Sequence, residues 1–126
     1  MAKLQTPRAK ITGLGASGHG TQHYLVQRVT AIALLILIPL VLFQFLSAFA
    51  SGYQAVHAWV GSLMGTASLL ALVTAMFWHL RLGVQVAVED YFDGGTRAVF
   101  LLLNVFGCLA LWLVSSLSIL SVFFEG

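Results

Sequence analysis

Charge is what this sequence has least of. Charged side chains make up 8% of its 126 residues, where a soluble domain carries about 25%. Cysteine appears once, as Cys108. A single cysteine excludes an internal disulfide and an iron–sulfur cluster ligated by this chain alone. Within an apolar run, Cys108 reads as a small hydrophobe. The net charge of +2 rests on few residues. No basic stripe or cluster marks one face, so a nucleic-acid partner is not expected. The glycine-rich stretch from Gly13 to Gly20 follows no strand, which argues against a phosphate-binding loop. Neither an internal repeat nor a low-complexity segment is present.

What the chain has in abundance is apolar sequence, 60% of the whole. It falls into three long runs, at about 29–50, 59–88 and 98–123. A helix needs about 20 apolar residues to cross a hydrocarbon core of roughly 30 Å. The expectation is therefore an all-α integral membrane protein, a single anchor domain of three transmembrane helices. Pro39 and Gln44 interrupt the first run, and both are tolerable in a helical bundle. Ala48-Phe49-Ala50 resembles a signal-peptidase site, but the run before it exceeds the 7–15 residues of a signal-peptide core, so it reads as a retained span.

Residues 1–22 are polar, glycine-rich and free of acidic side chains, and read as an extended arm. Residues 51–58 read as a short loop, with His57 solvated at the interface and Trp59 in an aromatic belt. Residues 89–97 read as a second, polar loop. Lys3, Arg8, Lys10 and Arg28 precede the first span, Arg97 lies in the second loop, and the first loop has no Lys or Arg. The positive-inside rule then puts the N-terminus and the second loop in the cytoplasm and the C-terminus on the periplasmic side. Residues 1–22 lack the Arg-rich amphipathic character of a transit peptide, which favours a bacterial inner membrane over a mitochondrial one.

The chemistry concentrates between Trp78 and Tyr91. His79 is the one histidine deep in a long apolar run, and an ionisable side chain there is costly enough to suggest function. Its face also carries Gly61, Gly65, Ser68, Leu72, Ala75, Gly83, Val86 and Asp90, at spacings of three and four, with small residues prominent. Gly61 and Gly65 form a GxxxG pair that would admit a partner helix or a flat group. Asp90 lies eleven residues beyond His79, almost on the same face and roughly 16 Å further along the axis. Tyr91 adjoins it. Two readings of His79 stand side by side. Hydrogen bonding to a neighbouring helix would satisfy the ring. Alternatively it ligates a haem iron, with small residues admitting the macrocycle and Arg28 and Arg81 on the cytoplasmic side to meet the propionates. A six-coordinate b-type haem needs a second axial ligand, and His57 lies near the other end of the same run, so that ligand would come from another chain. Zinc is disfavoured, because no second Cys or His stands at a suitable spacing. Asp90 and Tyr91 likewise read either as a polar loop with a belt tyrosine, or as hydrogen-bond donor and proton route for a quinone head group.

The residues Arg28-Val29-Thr30-Ala31, and His79, Gly83 and Asp90-Tyr91 at their spacing, are the motifs of a known family. Across about residues 23–123 the chain resembles the hydrophobic membrane-anchor subunits of succinate dehydrogenase, the small cytochrome b subunits of respiratory complex II. The resemblance implies that His79 is an axial ligand of haem b, holding the iron together with a second cytochrome b anchor subunit. It implies Arg28 near the propionates and Tyr91, supported by Asp90, on ubiquinone. His19 and His23 compete for a place at the haem edge, with His23 the nearer to Arg28, and Arg81 matches no shared role. FAD and iron–sulfur clusters would belong to a flavoprotein subunit and an iron–sulfur subunit, in a heterotetramer open to trimerisation. The chain would then serve the tricarboxylic acid cycle and respiratory electron transport without dehydrogenating succinate itself. A fumarate reductase anchor and a cofactor-free structural or assembly protein are the alternatives.

Overall fold

The computed structural model describes residues 19–125. These form four helices: α1 (His19–Phe49), α2 (Tyr53–Val60), α3 (Leu63–Tyr91) and α4 (Gly94–Glu125). The expected all-α architecture with three membrane-spanning helices is found: α1, α3 and α4 are each long and apolar enough to cross a bilayer. Their 29 to 32 residues correspond to roughly 43–48 Å of helix, more than the hydrocarbon core requires. Each therefore tilts or projects into the headgroups.

Helix α3 is the centre of the bundle. It packs along both α1 and α4, while α1 and α4 do not touch each other. Lipid tails are as apolar as leucine, so hydrophobicity cannot drive one span against another; small and polar side chains must do it. The buried positions bear this out. Only Val41, Leu82 and Val88 are buried apolar side chains among the described residues, alongside buried Thr66, Ser68, Asn104 and Ser116. Gln44 of α1 links three helices: its amide donates to Ser68 Oγ (3.4 Å) and its oxygen accepts from the Trp59 indole (2.8 Å). On the other side of α3, the Trp112 indole donates to Thr74 Oγ1 (3.0 Å) and Asn104 Nδ2 donates to the Arg81 carbonyl (2.8 Å).

Five expectations need correction. The part of residues 1–22 from His19 onward is helix, and residues 21–28 contain no glycine or proline to stop α1 from extending into its polar flank. Residues 1–18 lie outside the described residues, as does the His19 side chain. Residues 51–58 are not a loop throughout: Tyr53 to Val60 form a short helix that touches all three spans. The span drawn from Trp59 is broken at Gly61-Ser62. Ser62 caps α3, its Oγ accepting from Gly65 N (3.0 Å) and donating to the Trp59 carbonyl (2.6 Å). Gly61 and Gly65 therefore do not share a helix face. A Cβ on Gly65 would collide with the Trp59 carbonyl, so this glycine closes the α2–α3 turn, whereas Gly61 lies against Val122 of α4. Lastly, the polar loop at 89–97 shrinks to Phe92 and Asp93, its other residues ending α3 or opening α4.

Candidate functional site

Below the α2–α3 turn, the small-residue face of α3 packs on the chain's own α1. Ser68 meets Gln44, and three turns further His79 meets Thr30, with Thr30 Oγ1 and His79 Nδ1 3.0 Å apart. The partner that the stripe implied is thus, in part, an internal one. The same Thr30 hydroxyl donates to the Gln27 carbonyl at 3.0 Å. His79 is half-buried, and its Nε2 has no protein partner among the described residues.

One turn beyond His79, Gly83 leaves room beside the ring. The position a Cβ would take there has only Gln27 Nε2 near it, at 3.7 Å. Gln27 Oε1 is buried and has no hydrogen-bond partner, so a donor from outside this chain is missing. A free imidazole nitrogen, a glycine-made gap and an orphaned acceptor around one point suit a flat prosthetic group. The described residues hold no group of three or more His, Cys, Asp or Glu able to bind a bare metal ion. A haem needs no such cluster, since the porphyrin supplies the equatorial ligands and the chain only an axial one.

The arginines fall elsewhere. Arg28 is exposed, with Nε donating to the Tyr24 hydroxyl (3.1 Å) and its guanidinium 5.3 Å from the centre of the Tyr24 ring. Arg28 and Thr30 are two positions apart, which places them about 160° apart around α1. His23, half-buried, is seven residues before Thr30 and lies within about 20° of it. The structure therefore puts His23, Gln27 and Thr30 on one face of α1 and Arg28 on another. Arg81 lines a cleft of about 330 Å³ between α3 and α4, with Phe77, Trp78, Cys108 and Trp112.

At the other end of α3, Asp90 and Tyr91 are exposed, Tyr91 at 83%. Neither has a side-chain hydrogen bond among the described residues. What fixes them is Arg97, which the sequence suggested only as a topology charge. Its Nη2 donates to the Glu89 carbonyl (2.9 Å) and to Asp93 Oδ1 (3.3 Å), and its Nε donates to the Phe92 carbonyl (2.9 Å). A cation on the last carbonyls of α3 also suits the helix dipole. Gln85 Nε2 donates to Glu89 Oε1 (2.9 Å), so the remaining acid nearby is engaged along the helix. Among the described residues, Asp90 and Tyr91 are left without side-chain partners at a helix end that Arg97 caps. The signal in the sequence was a basic residue four beyond Asp93, a spacing that pairs them across one helical turn.

Residues 2–117 match the family model described as the succinate dehydrogenase/fumarate reductase transmembrane subunit. The chain belongs to this family. Among its relatives is a protein of Paracoccus denitrificans named succinate dehydrogenase hydrophobic membrane anchor subunit, 33% identical over 105 residues that cover 79% of this chain and 78% of that one. A protein of the same name from Rickettsia bellii (strain RML369-C) is 34% identical over 90 residues, covering 71% and 70%. No solved structure matches the chain. Membership makes it a multi-pass membrane-anchor subunit of an oxidoreductase complex, in keeping with its three spans.

Proposed function

We propose that this anchor subunit serves succinate:ubiquinone oxidoreduction, shares a haem b with a second anchor subunit and contributes to the quinone site. The observation that carries the reading is His79. It is half-buried mid-span, one ring nitrogen is held from α1, and the other is free beside the gap at Gly83. His79 Nε2 would hold the haem iron, Gln27 and Gly83 would border the macrocycle, and His23 lies on the same side of α1. Arg28, outside that face, would reach a propionate only from the haem edge. A bound haem supplies one-electron redox chemistry.

The quinone would be met at the end of α3. Two-electron reduction of a quinone takes up two protons, one at each carbonyl oxygen. The Tyr91 hydroxyl donates a hydrogen bond to one carbonyl, and Asp90, open to water, relays protons to it. His79 and Asp90 lie within about 20° of each other around α3 and roughly 16 Å apart along it, so a haem and a quinone would stand at different depths on one side of the helix. The flavoprotein and iron–sulfur subunits dock on the cytoplasmic side, where Arg28 and Arg97 lie. Bacterial relatives support placement in a bacterial inner membrane.

A second reading has a specific observation in its favour: the bond to Thr30 could be all that His79 is for. A reduced-minus-oxidised visible spectrum of the purified complex decides between them. A b-type band is expected, and His79→Ala should abolish or shift it; an identical spectrum in the variant sinks the ligand assignment. Whether succinate oxidation or fumarate reduction is favoured is read from turnover with each substrate and a matched quinone.

A further inference from the structure

We infer that Thr30 is a positioning residue for His79: its hydroxyl accepts the Nδ1 proton, fixing the tautomer and ring plane so that the Nε2 lone pair points to the ligand side. The inference rests on the haem reading and adds the group that aims the ligand.

A threonine hydroxyl has one proton and two lone pairs. Thr30 Oγ1 stands 3.0 Å from two atoms, the Gln27 carbonyl oxygen and His79 Nδ1. A carbonyl only accepts. If the hydroxyl proton pointed to the imidazole, two oxygens would face each other at hydrogen-bond distance with no proton between them. The proton therefore goes to Gln27, as threonine in a helix commonly bonds back to the preceding turn. Oγ1 is then left as an acceptor, and His79 Nδ1 must be the donor. In a neutral imidazole this leaves Nε2 bare. The Gln27–Thr30 bond is local to α1, so the acceptor is set before the ring arrives. Iron-ligating histidines commonly donate their other N–H to such a partner, which fixes ring orientation and raises ligand basicity.

The role has a signed consequence. Without an acceptor, Nδ1–H is less polarised, the imidazole donates less charge, and the reduced iron is relatively favoured. In the purified complex, Thr30→Val keeps the side-chain shape and loses the hydroxyl, while Thr30→Ser keeps the hydroxyl. Thr30→Val should raise the haem midpoint potential, change the low-spin electron paramagnetic resonance signal and weaken haem retention by about 10- to 100-fold. Thr30→Ser should restore all three. A haem-loaded Thr30→Val complex with wild-type potential and resonance signal overturns the role of Thr30. So does equal loss in the Val and Ser variants, which would mark a packing effect. A wild-type complex with no b-type band overturns the haem reading itself.

Discussion

A histidine inside a lipid-facing helix has two ring nitrogens to satisfy and no water to do it. That is why His79 stood out in the sequence; Asp90 and Tyr91 did so for a different reason, closing the same run almost on the face of His79. Thr30 did not stand out. A threonine in an apolar helix can satisfy itself on the preceding turn at little cost, and the bond that gives it meaning spans 49 residues. Arg97 was visible as a charge, but its work on three acceptors at the end of α3 depends on the shortness of a turn that composition alone drew longer. At this scale the quinone proposal is open to a direct test. Tyr91 is largely exposed, so Tyr91→Phe removes a hydroxyl without removing packing. Loss of one hydrogen bond predicts about a 2- to 10-fold fall in succinate:quinone turnover, with dye reduction by succinate unchanged. Equal loss in both assays would point to assembly instead.

Among the elements, α1, α3 and α4 were legible because a span is set by length and hydropathy. The α2–α3 break was not, because Trp59, Val60 and Leu63 to Ala67 continue the apolar run across it. Hydropathy registers no interruption where the break is made by a cap, Ser62, and a glycine, Gly65. The glycine spacing suggested a packing motif, and the structure assigns its members different tasks. Gly65→Ala forces a methyl onto the Trp59 carbonyl, so overpacking of about 1–3 kcal/mol is expected, read as a lower Tm of the detergent-purified complex. Gly61→Ala meets Val122 only at ordinary contact, 3.4 Å at the nearest, and should be the milder change. If the two lower Tm equally, the turn is not the reason for Gly65.

For the whole molecule, the sparse buried core is the informative property. Leu35, Phe43, Leu103, Phe106 and Val114 are among many large apolar side chains that lie exposed, so lipid and neighbouring helices, more than the chain's own packing, must cover it. Its orientation can be tested because cysteine is so scarce. With Cys108→Ser as background, a cysteine at Asp93 should react with an impermeant maleimide from the cytoplasmic face, and one at Ser51 from the opposite face; the reverse pattern would invert the topology. The centrality of α3 also sets an order of events during synthesis. Helix α1 emerges before any span it can pack against. Thr30 already has the Gln27 carbonyl, but Gln44 must wait for Trp59, 15 residues later, about 1–3 s at common elongation rates. Contact between Thr30 and His79 comes 49 residues on, about 2–10 s after α1 passes. The short α2 helix thus appears early enough to supply the Gln44 amide with its indole partner, and the Thr30 hydroxyl is already bonded to the Gln27 carbonyl before the ring it faces has been made.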